Sequence, residues 1–589
     1  MTVLDRVNSP EDLKKLSLED MKSLAGDIRQ GILTRVNALG GHLGPDLGIV
    51  EVTIAMHYVF NSPVDKFVFD VSHQVYPHKM ITGRKRGFLN PLENFEITGY
   101  SNPKESAHDN FVIGHTSTSV SLATGLAKAR DLKGENYNVI ALIGDGSLSG
   151  GQAFEGFNNA AMLDSNMIVI VNDNEMSIAE NQGGLYKNLA ELRETKGATV
   201  NNFFKTMGFD YMYVEEGNDI EKLIEAFEKV RDYKKPIVVH VRTLKGKGYA
   251  PAEENKEIYH WQLPGFLDKK ENVSQGLVEN YYTVTNDYIL KKQAEDKTVV
   301  AISAATPGAY GFTKDFRDKL GENYTDVGIA EEHAIAYASA LATNGAKPIL
   351  AIMSSFVQRT YDQLSQDLSL NNSPATILVH WGGITSADAT HLCVFDIPLI
   401  SNIPNIVYLS PTCKEEYLAM LDWSVKQNEH PVAIRVPSGK FVSTGVEDKT
   451  DYSQLNKYEM VEKGGQVAII GAGNFFHLAK EVKLELAKKF GIGATLINPK
   501  FLTGVDENML EELKANHSLV ITLEDGVLDG GYSEKISRFY SSSDMKVLNY
   551  GAKKEFTDRV PLAQLYERYR LTKELIAEDV ANILALVEV

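Results

Sequence analysis

The stretch "IGDGSLSGGQAFEGFNNAAMLDSNMIVIVNDNEMSI" (143–178) has the residue types and spacing for chemistry at two points. One apolar run ends in Gly-Asp-Gly at Asp145. A second, about one helical crossover later, ends in Asn-Asp-Asn at Asn174. Ligands of open parallel sheets bind beyond the carboxyl ends of strands. A carboxylate and an amide oxygen are hard donors, too few to cage a cation by themselves. They suit Mg²⁺, which completes its octahedron with oxygens from a phosphate ligand. The glycines beside Asp145 let backbone approach that phosphate closely. Taken singly, Asp145 reads as a helix cap and Asn174 as a turn residue.

Other candidates lie elsewhere. Six of the 14 histidines, His42, His57, His73, His78, His108 and His115, fall in one early stretch, without the spacing of a zinc site. Clustered imidazoles suit a phosphate and a reacting carbonyl, because imidazole donates to an oxyanion and moves protons near neutral pH. His57, in the helical pattern "EVTIAMHYVF", reads as structural, and His108 as exposed. Glu331, in "VGIAEEHAIAYASALA", opens a nearly uncharged helix, where a buried carboxylate is costly. Glu332 reads as a helix-start carboxylate favoured by the macrodipole.

The elements that must position these groups form three βα blocks within 589 residues. The first carries "FVFDVS" (67–72), "NVIALIGDG" (138–146), "NMIVIVNDN" (166–174) and "PIVVHVRT" (236–243). The second carries "TVVAISAA" (298–305), "KPILAIMSSF" (347–356), "PATILVHWGG" (374–383) and "PVAIRVPSG" (431–439). The third carries "QVAIIGAG" (466–473), "GATLINPKFL" (493–502) and "SLVITLEDG" (518–526). Such β-branched runs alternating with helical patterns predict parallel sheets covered on both faces, an α/β fold of three doubly wound domains at 1–265, 279–443 and 455–589. The polar passages 251–276 and 442–460 read as linkers. "GAG" (471–473) lacks a third glycine and a suitably spaced acid, so it reads as a tight turn rather than a nucleotide fingerprint.

Composition narrows the function. The chain is 43% hydrophobic and 23% charged, as expected of a globular protein. A net charge of −18 argues against nucleic acid or an anionic membrane, and "GRKRG" (83–87) is too short to be a basic patch. Two cysteines, Cys393 and Cys413, allow neither a disulfide framework nor a thiolate cluster. The N-terminal 30 residues form an amphipathic pattern without a signal-peptide core, and no run approaches the roughly 18 apolar residues of a membrane span. The expectation is a cytoplasmic protein.

The Gly-Asp-Gly to Asn segment resembles the thiamine-diphosphate motif. Together with "GGHLGPDLGIVEVTIAMHYVFNSPVDKFVFDVSHQVYPHKMITGR" (40–84), "ESAHDNFVIGHTSTSVS" (105–121), "LKGKGYAPAE" (244–253), "DVGIAEEHA" (326–334) and "QRTYDQ" (358–363), it makes the chain similar to the 1-deoxy-D-xylulose-5-phosphate synthase family, relatives of transketolase. The resemblance implies domains of the transketolase, thiamine-diphosphate-binding type. It implies Mg²⁺ held by Asp145, Asn174 and the main chain of Met176. It places His73, Gly114, His115, Thr116, Gly146 and Ser147 in the cofactor cleft, with Lys245 and Tyr249 near it, and Phe356 stacked near the pyrimidine. Glu331 would hydrogen-bond the aminopyrimidine and promote loss of the thiazolium C2 proton, helped by a pKa raised on burial. His42, His260 and His391 would face the reacting centre, with Asp388 and Arg359 as polar partners. The implied substrates are pyruvate or another 2-oxo acid and an aldehyde acceptor, and the implied assembly is a homodimer.

The resemblance breaks at the acceptor. Family members hold the phosphate of glyceraldehyde 3-phosphate with a Tyr before "STFLQRAYDQ" and Arg residues in "DRAG" and "YPRG". Here Met353, Trp381 and Ser438 stand at those positions. Two lost guanidiniums remove charge-assisted bonds of about 1.5–3 kcal/mol each. Lys440 stands nearby as a possible substitute. "SADATH" (386–391) is also one residue short of the family's "GxDGxTH". The departures favour an uncharged or bulkier aldehyde and keep a transketolase-like enzyme with a different acceptor as the alternative. A non-catalytic regulator that binds the cofactor is the rival from another class. Retention of Glu331, His42, His73 and His115 speaks against it.

Overall fold

Short β-branched runs that end in Gly, Asn or Asp become the strands of three largely parallel sheets in the computed structural model, which describes residues 2–268 and 279–587. The chain divides into two units, Met1–Gln275 with Gly328–Ala330 and Gly276–Val327 with Glu331–Val589.

The first unit holds strands β1 (Lys66–Phe69), β2 (Val139–Gly144), β3 (Met167–Asp173), β4 (Asp210–Val214) and β5 (Pro236–Arg242), in the order β1-β2-β3-β5-β4, all parallel. Every residue of β3 is buried, as expected of a strand covered on both faces. The register sets Gly144 opposite Asn172, so β2 and β3 end side by side. The crossover between them is the helix Gly151–Ala160, which packs on the helix Ser119–Lys133. A Cβ on Gly156 would meet Ser121 Oγ at 3.0 Å and Ser121 N at 3.1 Å, so this close approach needs glycine.

The passage after residue 251 is not simply a linker. Ala250–Glu254 is helical, Ile258–His260 is a 3₁₀ turn, and Trp261–Gln262 pairs antiparallel with Gly41–His42. The main-chain turn into that ribbon passes through Gly40 and Gly41 at φ +74° and +134°, open to glycine. Polar composition hid the pairing, because a two-residue ribbon buries little apolar surface. Residues 269–276 of the expected linker lie outside the described residues.

A buried polar network braces the segments on either side of the early histidines. His57 Nε2 meets His78 Nδ1 at 2.8 Å, and His78 Nε2 meets Asp109 Oδ1 at 2.9 Å. Arg84 donates to both Asp109 oxygens, at 2.6 and 2.9 Å. His57 is structural, as expected. His108 is half-buried and within 2.9 Å of Ser62 Oγ, which corrects its reading as exposed.

The second unit holds two sheets. Strands β6 (Val299–Ser303), β7 (Tyr324–Asp326), β8 (Lys347–Met353), β9 (Thr376–His380), β10 (Val407–Leu409) and β11 (Val432–Arg435) run in the order β10-β11-β9-β8-β6-β7. Strands β12 (Glu459–Glu462), β13 (Val467–Gly471), β14 (Ala494–Asn498), β15 (Leu519–Val527) and β16 (Lys546–Ala552) run in the order β12-β14-β13-β15-β16, with only β12 antiparallel. The five strands that the sequence did not suggest (β4, β7, β10, β12 and β16) all lie at sheet edges, where a strand is short or half polar. One of them, β12, falls partly in the second expected linker, whose Tyr452 is also buried. "GAG" is a tight strand-to-helix turn, with Gly473 at φ +52°. A Cβ on Gly471 would meet Phe476 Cα at 2.8 Å.

Replacing Arg84 by Met should leave Asp109 buried without its cation. The expected cost is about 3–5 kcal/mol, seen as a lower urea midpoint. A shift below about 1 kcal/mol would mean that the network is not braced by this pair.

Candidate active site

In the first unit, Asp145 follows β2 and its amide donates to Asn172 O at 3.0 Å. Its side chain does not cap the turn Gly146–Ser149, so the cap reading fails. It accepts instead from Asn181 Nδ2 at 2.8 Å. Burial, together with the nearby Asp173 carboxylate, pushes the Asp145 carboxyl well above its ordinary range. Burial acts on Asp173 in the same direction, but hydrogen bonds and charge from His240 and Arg193 outweigh it and hold that carboxyl low. Asn174 follows β3, and among the described residues its Oδ1 accepts only the Met176 amide, at 3.2 Å, leaving a lone pair. Asn181 Oδ1 is buried with no hydrogen-bond partner. A hard cation fits this donor set: a carboxylate strained by burial, an amide oxygen with spare capacity, and a stranded acceptor beside them.

The phosphate-side residues are positioned by an element that the sequence reading missed. Asp70 ends the extension of β1 and accepts from Ser117 N at 2.8 Å and Ser119 N at 3.0 Å. It thereby pins the loop that carries Gly114, His115 and Thr116. The signal was present in "FVFD", a strand ending in an acid just as Asp145's does. Gly146 and Ser147 are buried directly after Asp145. Lys245 is buried and donates to Ser177 O at 2.5 Å. Burial, partly offset by Asp145, brings its ammonium down to about 7. Tyr249 is half-buried and packs edge-on against Tyr259 and Phe266, at centroid separations of 5.7 and 6.3 Å.

Three of the expected histidines meet. The His42 and His73 rings lie 4.9 Å apart, His42 and His260 5.3 Å, and His73 and His260 5.6 Å. The ribbon Gly41–His42/Trp261–Gln262 is what brings His260 there. Burial, with Lys245 nearby, pushes the His260 imidazole well below its ordinary value, so it is neutral.

In the second unit, Glu331 heads the helix Glu331–Thr343. Its buried residues, Glu331, Ala334, Ile335, Ala338, Ser339 and Ala342, form one stripe at helical spacing. The carboxylate is therefore buried by its register, and burial raises its pKa against the pull of Arg359. Glu331 Oε2 lies 3.6 Å from Arg359 Nη1. The turn after β8 carries Phe356 and Arg359. Phe356 meets the His391 ring edge-on at 5.9 Å. It also packs on the apolar core, as its reading as a core residue expects. Asp388 Oδ1 lies 3.4 Å from His391 Nδ1 and accepts from Thr390 N at 2.9 Å. Burial opposes its ionisation, but these partners prevail and hold it at about 2.

Of the three divergent positions, Met353 packs in an apolar cluster, whereas Trp381 and Ser438 line a cavity of about 760 Å³. Lys440 is exposed and does not line it. No helix among the described residues is long and apolar enough to cross a membrane.

Comparison with known proteins agrees with this geometry. Residues 4–200 match the family model for 1-deoxy-D-xylulose-5-phosphate synthase. Residues 113–289 match the transketolase thiamine diphosphate binding domain, 280–442 its pyrimidine binding domain and 456–576 its C-terminal domain. The 1-deoxy-D-xylulose-5-phosphate synthase of Clostridium botulinum (strain Alaska E43 / Type E3) is 36% identical over 619 residues, covering 98% of this chain and 99% of the relative. That of Halothermothrix orenii is 37% identical over 623 residues, covering 99% and 97%. A crystal structure of Pichia stipitis transketolase in complex with sedoheptulose-7-phosphate is 16% identical and covers 97% of this chain and 98% of that one, at a TM-score of 0.45, too low to bear on function. The order of modules defines a thiamine-diphosphate-dependent transferase of the transketolase type. The chain belongs to the 1-deoxy-D-xylulose-5-phosphate synthase family.

Asp70→Ala removes the acceptor of two buried amides, each worth about 1–3 kcal/mol. The Ser117 and Ser119 amides should then exchange with deuterium at least tenfold faster while the sheet amides keep their protection. Unchanged exchange at both would remove Asp70 from the role of pinning the loop.

Proposed function

We propose that the chain decarboxylates pyruvate with thiamine diphosphate and Mg²⁺ and transfers the two-carbon unit to an aldehyde. It does so as a cytoplasmic homodimer with modules at 1–265, 279–443 and 455–589. The observation that carries this reading is the pairing of Asp145 and Asn174 at adjacent strand ends beside the unmatched oxygen of Asn181.

When bound, thiamine diphosphate supplies a nucleophilic carbon and a sink for the electrons left by CO₂. Asp145, Asn174 and the Met176 carbonyl would hold the metal, which would bind the diphosphate. Gly114, His115, Thr116, Gly146 and Ser147 contribute backbone and side-chain donors on the loops beyond β1 and β2. Lys245 and Tyr249 flank that cleft. Glu331, with its proton affinity raised by burial, would hydrogen-bond the aminopyrimidine and hold a proton for it. Arg359 limits that rise, and Phe356 offers the pyrimidine a ring face. His42, His73 and His260 would face the oxygen of the reacting carbonyl, and His260, kept neutral by burial, would donate to it without adding charge. Asp388 is a positioning residue that fixes the tautomer and orientation of His391, which takes or gives a proton at the substrate.

Release of ¹³CO₂ from [1-¹³C]pyruvate, dependent on both Mg²⁺ and thiamine diphosphate, tests the reading. Its absence under all aldehydes tried would contradict it. Asp145→Ala should fold normally yet lose Mg²⁺-dependent cofactor affinity by more than the roughly 10–100-fold typical of an outer-shell partner. Calorimetric titration that finds ordinary affinity in a folded variant would remove Asp145 from the metal site.

A further inference from the structure

The cavity lined by Trp381 and Ser438 lies in the second unit, between the sheet ending in β9 and β11 and the sheet of β13 and β15. In that last sheet β13 has β14 on one side and β15 on the other, so the crevice past its carboxyl end is a topological switch point, where open sheets bind ligands. Asn474, just beyond β13, and Asp525, on β15, both line it.

The polar groups there form one chain. Ser438 Oγ donates to Gly382 O at 2.9 Å and accepts from Asn474 Nδ2 at 3.0 Å. Asn474 Nδ2 also donates to Asp525 Oδ2 at 2.9 Å. The other Asp525 oxygen is held by Arg435, whose guanidinium is shared with Asp396 at 2.6 Å. One buried cation thus faces two carboxylates, of which Asp525 lines the cavity. Around it, Lys573 is outnumbered by Glu481 and Glu574. His380 adds no charge, since burial takes its imidazole down to about 3. It lines the cavity, is 1% exposed, and its Nε2 has no hydrogen-bond partner. Trp381 is 46% exposed and held at φ +67°, a costly conformation for a bulky residue, with its indole Nε1 donating to Ala309 O at 3.1 Å.

Among the described lining residues, a phosphate would meet three carboxylates, Asp525, Glu481 and Glu574, against one lysine, Lys573, which lies 3.9 Å from Glu481. A chain of hydroxyls meets what it needs: a carboxylate and an imidazole nitrogen as acceptors, amide and hydroxyl neighbours, and an aromatic face for its C–H groups. We propose that this cavity receives the unreacting end of the acceptor, and that this end is a neutral polyhydroxylated chain rather than a phosphate ester. The assignment rests on the carboligase reading above, which it deepens.

Calorimetric titration of the full-length protein with D-erythrose, D-erythrose 4-phosphate and ethanolamine tests it. Erythrose should bind at least tenfold more tightly than either of the others. Asp525→Asn and Trp381→Ala should each weaken erythrose at least tenfold, and Trp381→Ala changes an exposed ring, so the test survives if the Asp525 variant does not fold. Trp381→Arg combined with Ser438→Arg should reverse the preference toward the phosphate. Tighter binding of the phosphate or of ethanolamine by the unaltered protein would overturn the proposal, as would indifference of erythrose binding to both single changes. Failure of this test with ¹³CO₂ release intact overturns only the cavity assignment. Erythrose binding without any ¹³CO₂ release overturns the carboligase reading and leaves the cavity's preference standing.

Discussion

Burial of carboxylates without full compensation is the constraint on which the chemistry of this chain depends. Asp145 lies at the end of a strand buried on both faces, so its carboxylate has little water, and the hydrogen bonds it accepts from Asn181 and the Gly146 amide do not offset its burial. Asp173, one strand over, meets the same burial, but His240 and Arg193 answer it. The difference leaves the Asp145 carboxyl raised and that of Asp173 lowered. Glu331 is the same problem solved differently. It heads a helix whose buried stripe cannot turn away from the core, and Arg359 approaches without closing to hydrogen-bond length. In the proposed function the first carboxylate binds metal and the second holds a proton.

The surrounding architecture makes these two sites cheap to maintain. Asp70 spends its own carboxylate on two loop amides, and the His57–His78–Asp109–Arg84 network ties the flanking segments into the first unit. The short ribbon at Gly41–His42 then delivers His260 to His42 and His73. Each of these devices fixes a loop that otherwise would be set only by its ends.

Much of this was legible in the sequence because it follows from periodicity and strand-end chemistry. The buried central strands, the Asp145–Asn174 spacing and the helix of Glu331 were all readable as patterns within a single segment. What was not readable depends on partners far apart in sequence. Residues 251–264 are polar, so they read as a linker, yet two of them complete a ribbon with residues more than two hundred positions earlier. The edge strands carry too few apolar residues to stand out. Asn181 is ordinary in composition and became visible only when its oxygen was found stranded beside Asp145. At the acceptor end, substitution of Trp381 and Ser438 was evident, but the carboxylate of Asp525 beside them, held by Arg435 together with Asp396, belongs to no local motif.

The central claim is that a buried carboxyl at Glu331, rather than the cofactor alone, sets the proton transfer that starts the reaction. Hydrogen–deuterium exchange at the thiazolium C2 of bound thiamine diphosphate measures this directly. The account predicts exchange on the intact protein much faster than on free cofactor, falling by at least a hundredfold, on the order of 2.7 kcal/mol, in Glu331→Gln with the cofactor still bound. Exchange in that variant at the rate of the intact protein would contradict it.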